Sequence, residues 1–183
     1  MFGAPERKFH RPEAGLVLSE GRIEGYASLF GKRDQGGDVV MPGAYAASLA
    51  ALKARGGSVK MLWQHDPTQP IGIWEEVRED ATGLWVKGRL LSEVEKGREA
   101  SALLEAGAID GLSIGYRTVR SERDSKGQRL LAEVELWEVS LVTFPMLAEA
   151  RVAAKAESRE GDGFWRSMAE LFRDAVAEGV TRL

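Results

Sequence analysis

The chain has 183 residues, of which 44% are hydrophobic and 29% charged, with a formal net charge of −3. That length supports one domain with a proper core and is too short for two generous ones. The charges are interspersed, with no basic stripe for nucleic acid, and no apolar run approaches the ~18 residues of a membrane span. There is no cysteine, which excludes disulfide bracing, a thiol nucleophile and a Cys-ligated metal. Histidine occurs only at His10 and His65, so a His-rich metal cluster is excluded as well, and neither metal nor cofactor is expected.

Residues 1–13 carry Pro5 and Pro12 and lack the apolar stretch of a signal peptide, so they read as a flexible leader. Leu16 and Leu18, then Ile23, Tyr26 and Leu29, predict two strands around a turn at Glu20-Gly21. Gly31 to Asp38 is a glycine-rich loop. Tyr45, Leu49 and Leu52 fall at helical spacing in an Ala-rich segment that Gly56-Gly57 ends. From Ser58 to Asp66, a strand is expected to carry Val59, Met61, Trp63 and His65 on one face, with Pro67 and Pro70 bracketing a turn. A hairpin follows through "REDATG". Ser92 with Glu95 has the pattern of a capping box, opening a helix that runs to Gly107. A strand from about Ala108 to Arg123, a turn at "DSKG" and a long strand ending at Pro145 complete the predicted domain, residues 14–152. Residues 153–163 read as a linker. Residues 164–183 read as an amphipathic helix with Trp165, Leu171, Phe172 and Val176 on its apolar face. The expected fold class is α+β, with strands in hairpin-like order that form a mostly antiparallel, closed or nearly closed β-barrel.

Three places could carry chemistry. His65 ends an apolar strand before a loop, where a side chain can meet a substrate, although a lone strand histidine is also a common structural residue. Ser113 lies in "DGLSIGY", where strand alternation points Leu112, Ile114 and Tyr116 away from it. Gly111 and Gly115 clear the space around its hydroxyl. Gly-x-Ser-x-Gly is the elbow pattern of α/β-hydrolases, but no parallel βαβ pattern surrounds it, and that fold is rejected. Glu138 interrupts the apolar run "LWEVSLV", and a buried carboxylate needs a partner such as an imidazole. Alternation along that strand does not decide whether Glu138 faces inward. A glycosidase pair at Glu75 and Glu76 is rejected, because neighbouring strand residues face opposite sides.

Together these segments resemble the prohead maturation proteases of tailed bacteriophages. The resemblance rests on "GYASLFGKRDQGGDVVMPGAY", "VKMLWQHDPTQPIGIWEEV", "GLSIGY" and "WEVSLVTFPMLAEARV", in order over residues 20–152. It implies the fold of the herpesvirus capsid protease assemblin, a β-barrel surrounded by helices. It also implies a serine endopeptidase with His65 as base, Ser113 as nucleophile and Glu138 as the third member. The oxyanion donors are expected between Thr143 and Arg151. The implied substrates and partners are a scaffold protein or the N-terminal segment of the major capsid protein. The implied place is inside assembling procapsids, in the cytoplasm of a bacterium that produces phage or a gene transfer agent. Self-cleavage in "LAEARVAAKAES" and a homodimer contact also follow from the resemblance. The non-enzymatic alternative is a barrel kept as a scaffold or capsid-binding module.

Overall fold

The computed structural model describes residues 21–152. The predicted leader, linker and C-terminal helix, and the first of the two N-terminal strands, lie outside these residues. In chain order the elements are β1 (Arg22–Leu29), β2 (Asp38–Val40), α1 (Ala46–Ala54), β3 (Lys60–Trp63), β4 (Asp66–Glu79), β5 (Gly83–Leu90), α2 (Glu95–Glu105), β6 (Gly111–Arg123) and β7 (Arg129–Val142).

The strands form one sheet in the order β1-β5-β4-β3-β7-β2, with β6 on the other edge of β7. Strands β1/β5, β4/β5, β3/β4 and β6/β7 pair antiparallel, joined mostly by short turns as the sequence suggested. The two parallel pairings both use β7. Its first residues, Arg129 to Leu131, hold β2, and Glu138 to Leu141 hold β3. The sheet curls into a half-barrel. Residues 150–152 stitch its far edges, with Val152 bridging Gly25 on β1 and Arg151 bridging Gly111 on β6. Where a barrel surrounded by helices was expected, the described residues form a mostly-sheet fold with two helices.

Inside the curl lies the core, which includes Ile23, Met61, Ile71, Leu84, Val86, Leu112, Leu131, Leu136, Val139 and Leu141, each no more than 1% exposed. Burying a side chain of this kind contributes roughly 1.5–3 kcal/mol. Helix α1 seals one part of the core with Tyr45 at its N-cap and with Leu52, both buried as the helical spacing required. Helix α2 begins later than the sequence signal suggested. Its N-cap is Val94, with no side-chain cap, and the Ser92 carbonyl instead accepts a bond from Arg98.

The strand expected to run to Asp66 stops at Trp63. Gln64 and His65 form a two-residue turn, and both have positive φ, 51° and 63°. Such a turn suits the twist of the flanking strands, but it normally selects Asn or Gly, the residues that tolerate this backbone. Pro67 and Pro70 fall within β4, where residues 67–69 bulge out between the partners of Trp63 and Leu62. A second irregularity, at Glu75, interrupts the alternation used to reject a Glu75–Glu76 pair. Both carboxylates are exposed and pair with arginines, Glu75 with Arg22 and Arg89 and Glu76 with Arg78, so they share no cleft.

Candidate active site

Strands β6 and β7 bring the site together by register. Ser113 lies directly opposite Ser140, and Gly115 opposite Glu138. Period-two alternation then puts Ser113, Glu138 and Ser140 on one face, while Leu112, Val139 and Leu141 turn into the core. Strand β3 supplies the third element, because its pairing with β7 ends at Trp63↔Leu141 and delivers the Gln64-His65 turn above that face.

The turn is strapped to β7 at several points. Gln64 donates its backbone N–H to the Leu141 carbonyl at 2.9 Å. Its side chain exchanges bonds with Thr143, donating from Nε2 to Oγ1 at 2.8 Å and accepting from the Thr143 N–H at 3.3 Å. The His65 N–H donates to Ser140 Oγ at 3.2 Å. Left-handed backbone costs a non-glycine residue on the order of 1 kcal/mol, and these contacts hold it in place.

The imidazole is thereby aimed between an acid and a hydroxyl. His65 Nδ1 lies 2.5 Å from Glu138 Oε1, and His65 Nε2 lies 3.0 Å from Ser113 Oγ. A carboxylate can only accept, so the proton of the neutral ring sits on Nδ1 and Nε2 is free to accept from the serine hydroxyl. Glu138 is 8% exposed and Ser113 4% exposed, whereas the His65 side chain is 42% exposed. The acid is thus shielded while the ring borders solvent. The hydrogen bond to Glu138 is the main cause that lifts the His65 pKa above its usual 6.5, opposed by partial burial and helped by the charge of Glu138.

Glycine makes room for the acid. A Cβ built on Gly115 would lie 2.0 Å from Glu138 Oε1, so any other residue there would push the carboxylate aside. Beside Ser113 a pocket is lined by Ser28, Asp34, Asp38, Tyr116, Met146 and Leu147, among others. The segment singled out for oxyanion donors runs over this end of β6, where the Leu112 N–H donates to the Ala150 carbonyl at 2.7 Å. Part of the suggested self-cleavage stretch is built into the fold: Leu147, Ala150 and Val152 are 9%, 1% and 5% exposed, not the exposed small residues expected there.

The structure therefore brings His65, Ser113 and Glu138 into one hydrogen-bonded chain. Sequence reasoning missed the left-handed turn and Ser140. Ser140 follows Glu138 by two positions and shares its face, a spacing that carries a signal only once the side that Glu138 faces is known.

Comparison with known proteins gives a consistent picture. The family model described as Caudovirus prohead serine protease matches residues 11–162. The prohead protease of Enterobacteria phage HK97 is 31% identical over 166 residues, covering 89% of this chain and 71% of that protein. The capsid polyprotein of Pseudomonas phage PAJU2 is 34% identical over 111 residues, 56% of this chain and 16% of the polyprotein. Among solved structures, the bacteriophage T4 capsid assembly protease shares the fold with a TM-score of 0.55 at 16% identity, over 70% of this chain and 88% of that one.

Proposed function

The chain belongs to the caudovirus prohead serine protease family, and from that premise we propose that it is a serine endopeptidase acting on a capsid or scaffold protein during head assembly. The observation that carries the reading is the chain Glu138–His65–Ser113, with bonds of 2.5 Å and 3.0 Å.

In this mechanism Ser113 Oγ attacks the carbonyl carbon of the scissile peptide as its proton passes to His65 Nε2. Glu138 keeps Nδ1 protonated and stabilises the imidazolium that results. Collapse of the tetrahedral adduct breaks the C–N bond, and His65 returns the proton to the leaving amine. Water then enters, gives a proton to His65, and attacks the Ser113 ester. The acyl C–Oγ bond breaks as His65 returns that proton to Ser113 Oγ, which releases the acid and restores the hydroxyl. Ser140 is no rival nucleophile, because its hydroxyl is 0% exposed and faces Glu138 rather than the ring nitrogen that takes the proton.

The substrate reading, a scaffold or the N-terminal segment of the major capsid protein, rests on family membership. It is supported by the match to a protein named a capsid polyprotein. The place of action that follows is the assembling procapsid in a bacterial host. Treatment with a serine-directed fluorophosphonate, followed by peptide mapping, tests the chemistry. One adduct is expected, on Ser113, and it should vanish in Ser113→Ala and His65→Ala. An unlabelled wild-type protein, or an adduct elsewhere, contradicts the mechanism.

A further inference from the structure

We propose that Ser140 is a positioning residue that ties the acid to the turn carrying the base, an inference that rests on the serine-protease reading above. Its hydroxyl makes two bonds at once. It donates to Glu138 Oε2 at 2.5 Å, the carboxylate oxygen that His65 does not use. It accepts the His65 backbone N–H at 3.2 Å. One buried atom therefore holds both ends of the Glu138–His65 contact.

Each bond has a job that no other group among the described residues performs. Glu138 extends from β7 into the space left by Gly115. With Oε1 on the imidazole, Oε2 in this buried place needs a donor, and the Ser140 hydroxyl is the one the structure gives it. His65 sits in left-handed backbone at φ 63°, and its N–H needs a partner to keep the ring where it is. A residue merely filling the core at position 140 would do neither. Ser140 touches neither the reacting hydroxyl nor the ring nitrogen that accepts its proton, so it acts through Glu138 and His65.

The test is the rate of Ser113 phosphonylation as a function of pH, which needs no identified substrate. In Ser140→Ala the rate should fall by about 10-fold to 100-fold, the size of a lost hydrogen bond to a buried charge. The pH midpoint should also move up, since the carboxylate charge is no longer shared with a second donor and acts more fully on the imidazole. Ser48→Ala is the control. Ser48 is a buried serine that accepts the Leu136 N–H, away from the site, and its loss should leave rate and midpoint unchanged. The near-isosteric pair Ser140→Thr and Ser140→Val separates the hydroxyl from packing even where the alanine variant folds poorly. The threonine protein should react about tenfold faster than the valine one. Equal rates for Thr and Val, or an unmoved midpoint in Ser140→Ala, would overturn the assignment of Ser140. A wild-type protein that fails to react at all would instead sink the protease reading.

Discussion

At the residue scale the proposed activity turns on where protons sit. Because Glu138 lifts the His65 pKa above 6.5, the neutral ring needed as a base is formed only above that value. The rate should therefore be low in acid and rise with pH through a midpoint above 6.5. Stability runs the other way. A histidine with a raised folded-state pKa contributes stability that is fully present below the unfolded value and lost as pH rises through the folded value. Glu138→Gln removes the charge and leaves only a neutral acceptor for Nδ1, while burial still lowers the pKa. The midpoint should drop and the rate fall roughly 10²–10⁴-fold, both read from one pH–rate profile. Gly115→Ala tests the same contact by crowding. Its Cβ would meet Glu138 Oε1 at 2.0 Å, so activity should be lost even though the triad residues are intact. Of these residues, Ser113 was marked by its flanking glycines, whereas His65 lies in a turn and not at the strand end that the sequence predicts. Glu138 was only half legible, because both faces of its strand carry apolar residues. Ser140 was not legible, because a serine in an apolar strand looks like any small core residue until register places it opposite Ser113.

At the element scale the informative departures are local. The β3–β4 turn was read as a strand continuing through His65, since Gln-His carries no glycine or asparagine to mark a turn. Its conformation is set by bonds to Leu141, Thr143 and Ser140, all distant in sequence. The pattern Ser92–Glu95 announced α2 correctly but misplaced its start, since the cap position is Val94 in extended backbone, φ −95° and ψ 129°. That backbone already suits a capping side chain. Val94→Asp should supply an acceptor for the first-turn N–H groups and stabilise the protein by about 1 kcal/mol, visible as a higher melting temperature. Ser92→Ala should change stability by less than ~0.5 kcal/mol, since no cap depends on it. The long β6–β7 hairpin, by contrast, was readable as two strands joined at the "DSKG" turn, although three register shifts break the alternation along it. The parallel pairings on β7 were not, since pairing of distant strands leaves no local pattern.

At the scale of the whole molecule, residues 150–152 join the two free edges of the sheet and lie against the residue before Ser113. Gly25 admits this strap: a Cβ there would lie 2.5 Å from the Arg151 carbonyl. Val152 is 5% exposed, so Val152→Asp should bury an unpaired charge and destabilise the fold by about 3 kcal/mol or more. Thermal unfolding and the phosphonylation rate should fall together. Within the suggested self-cleavage stretch, a cut that spares the strap falls after Val152, in residues 153–158.

The proposed activity is tested most directly in cells that make a major capsid protein with its scaffold alongside this chain, by intact-mass analysis of the shell protein. Wild-type enzyme should leave a shell protein shortened at its N-terminus or stripped of its scaffold, and Ser113→Ala should leave both at full length. Processing at the normal rate by the Ser113→Ala protein would contradict the account.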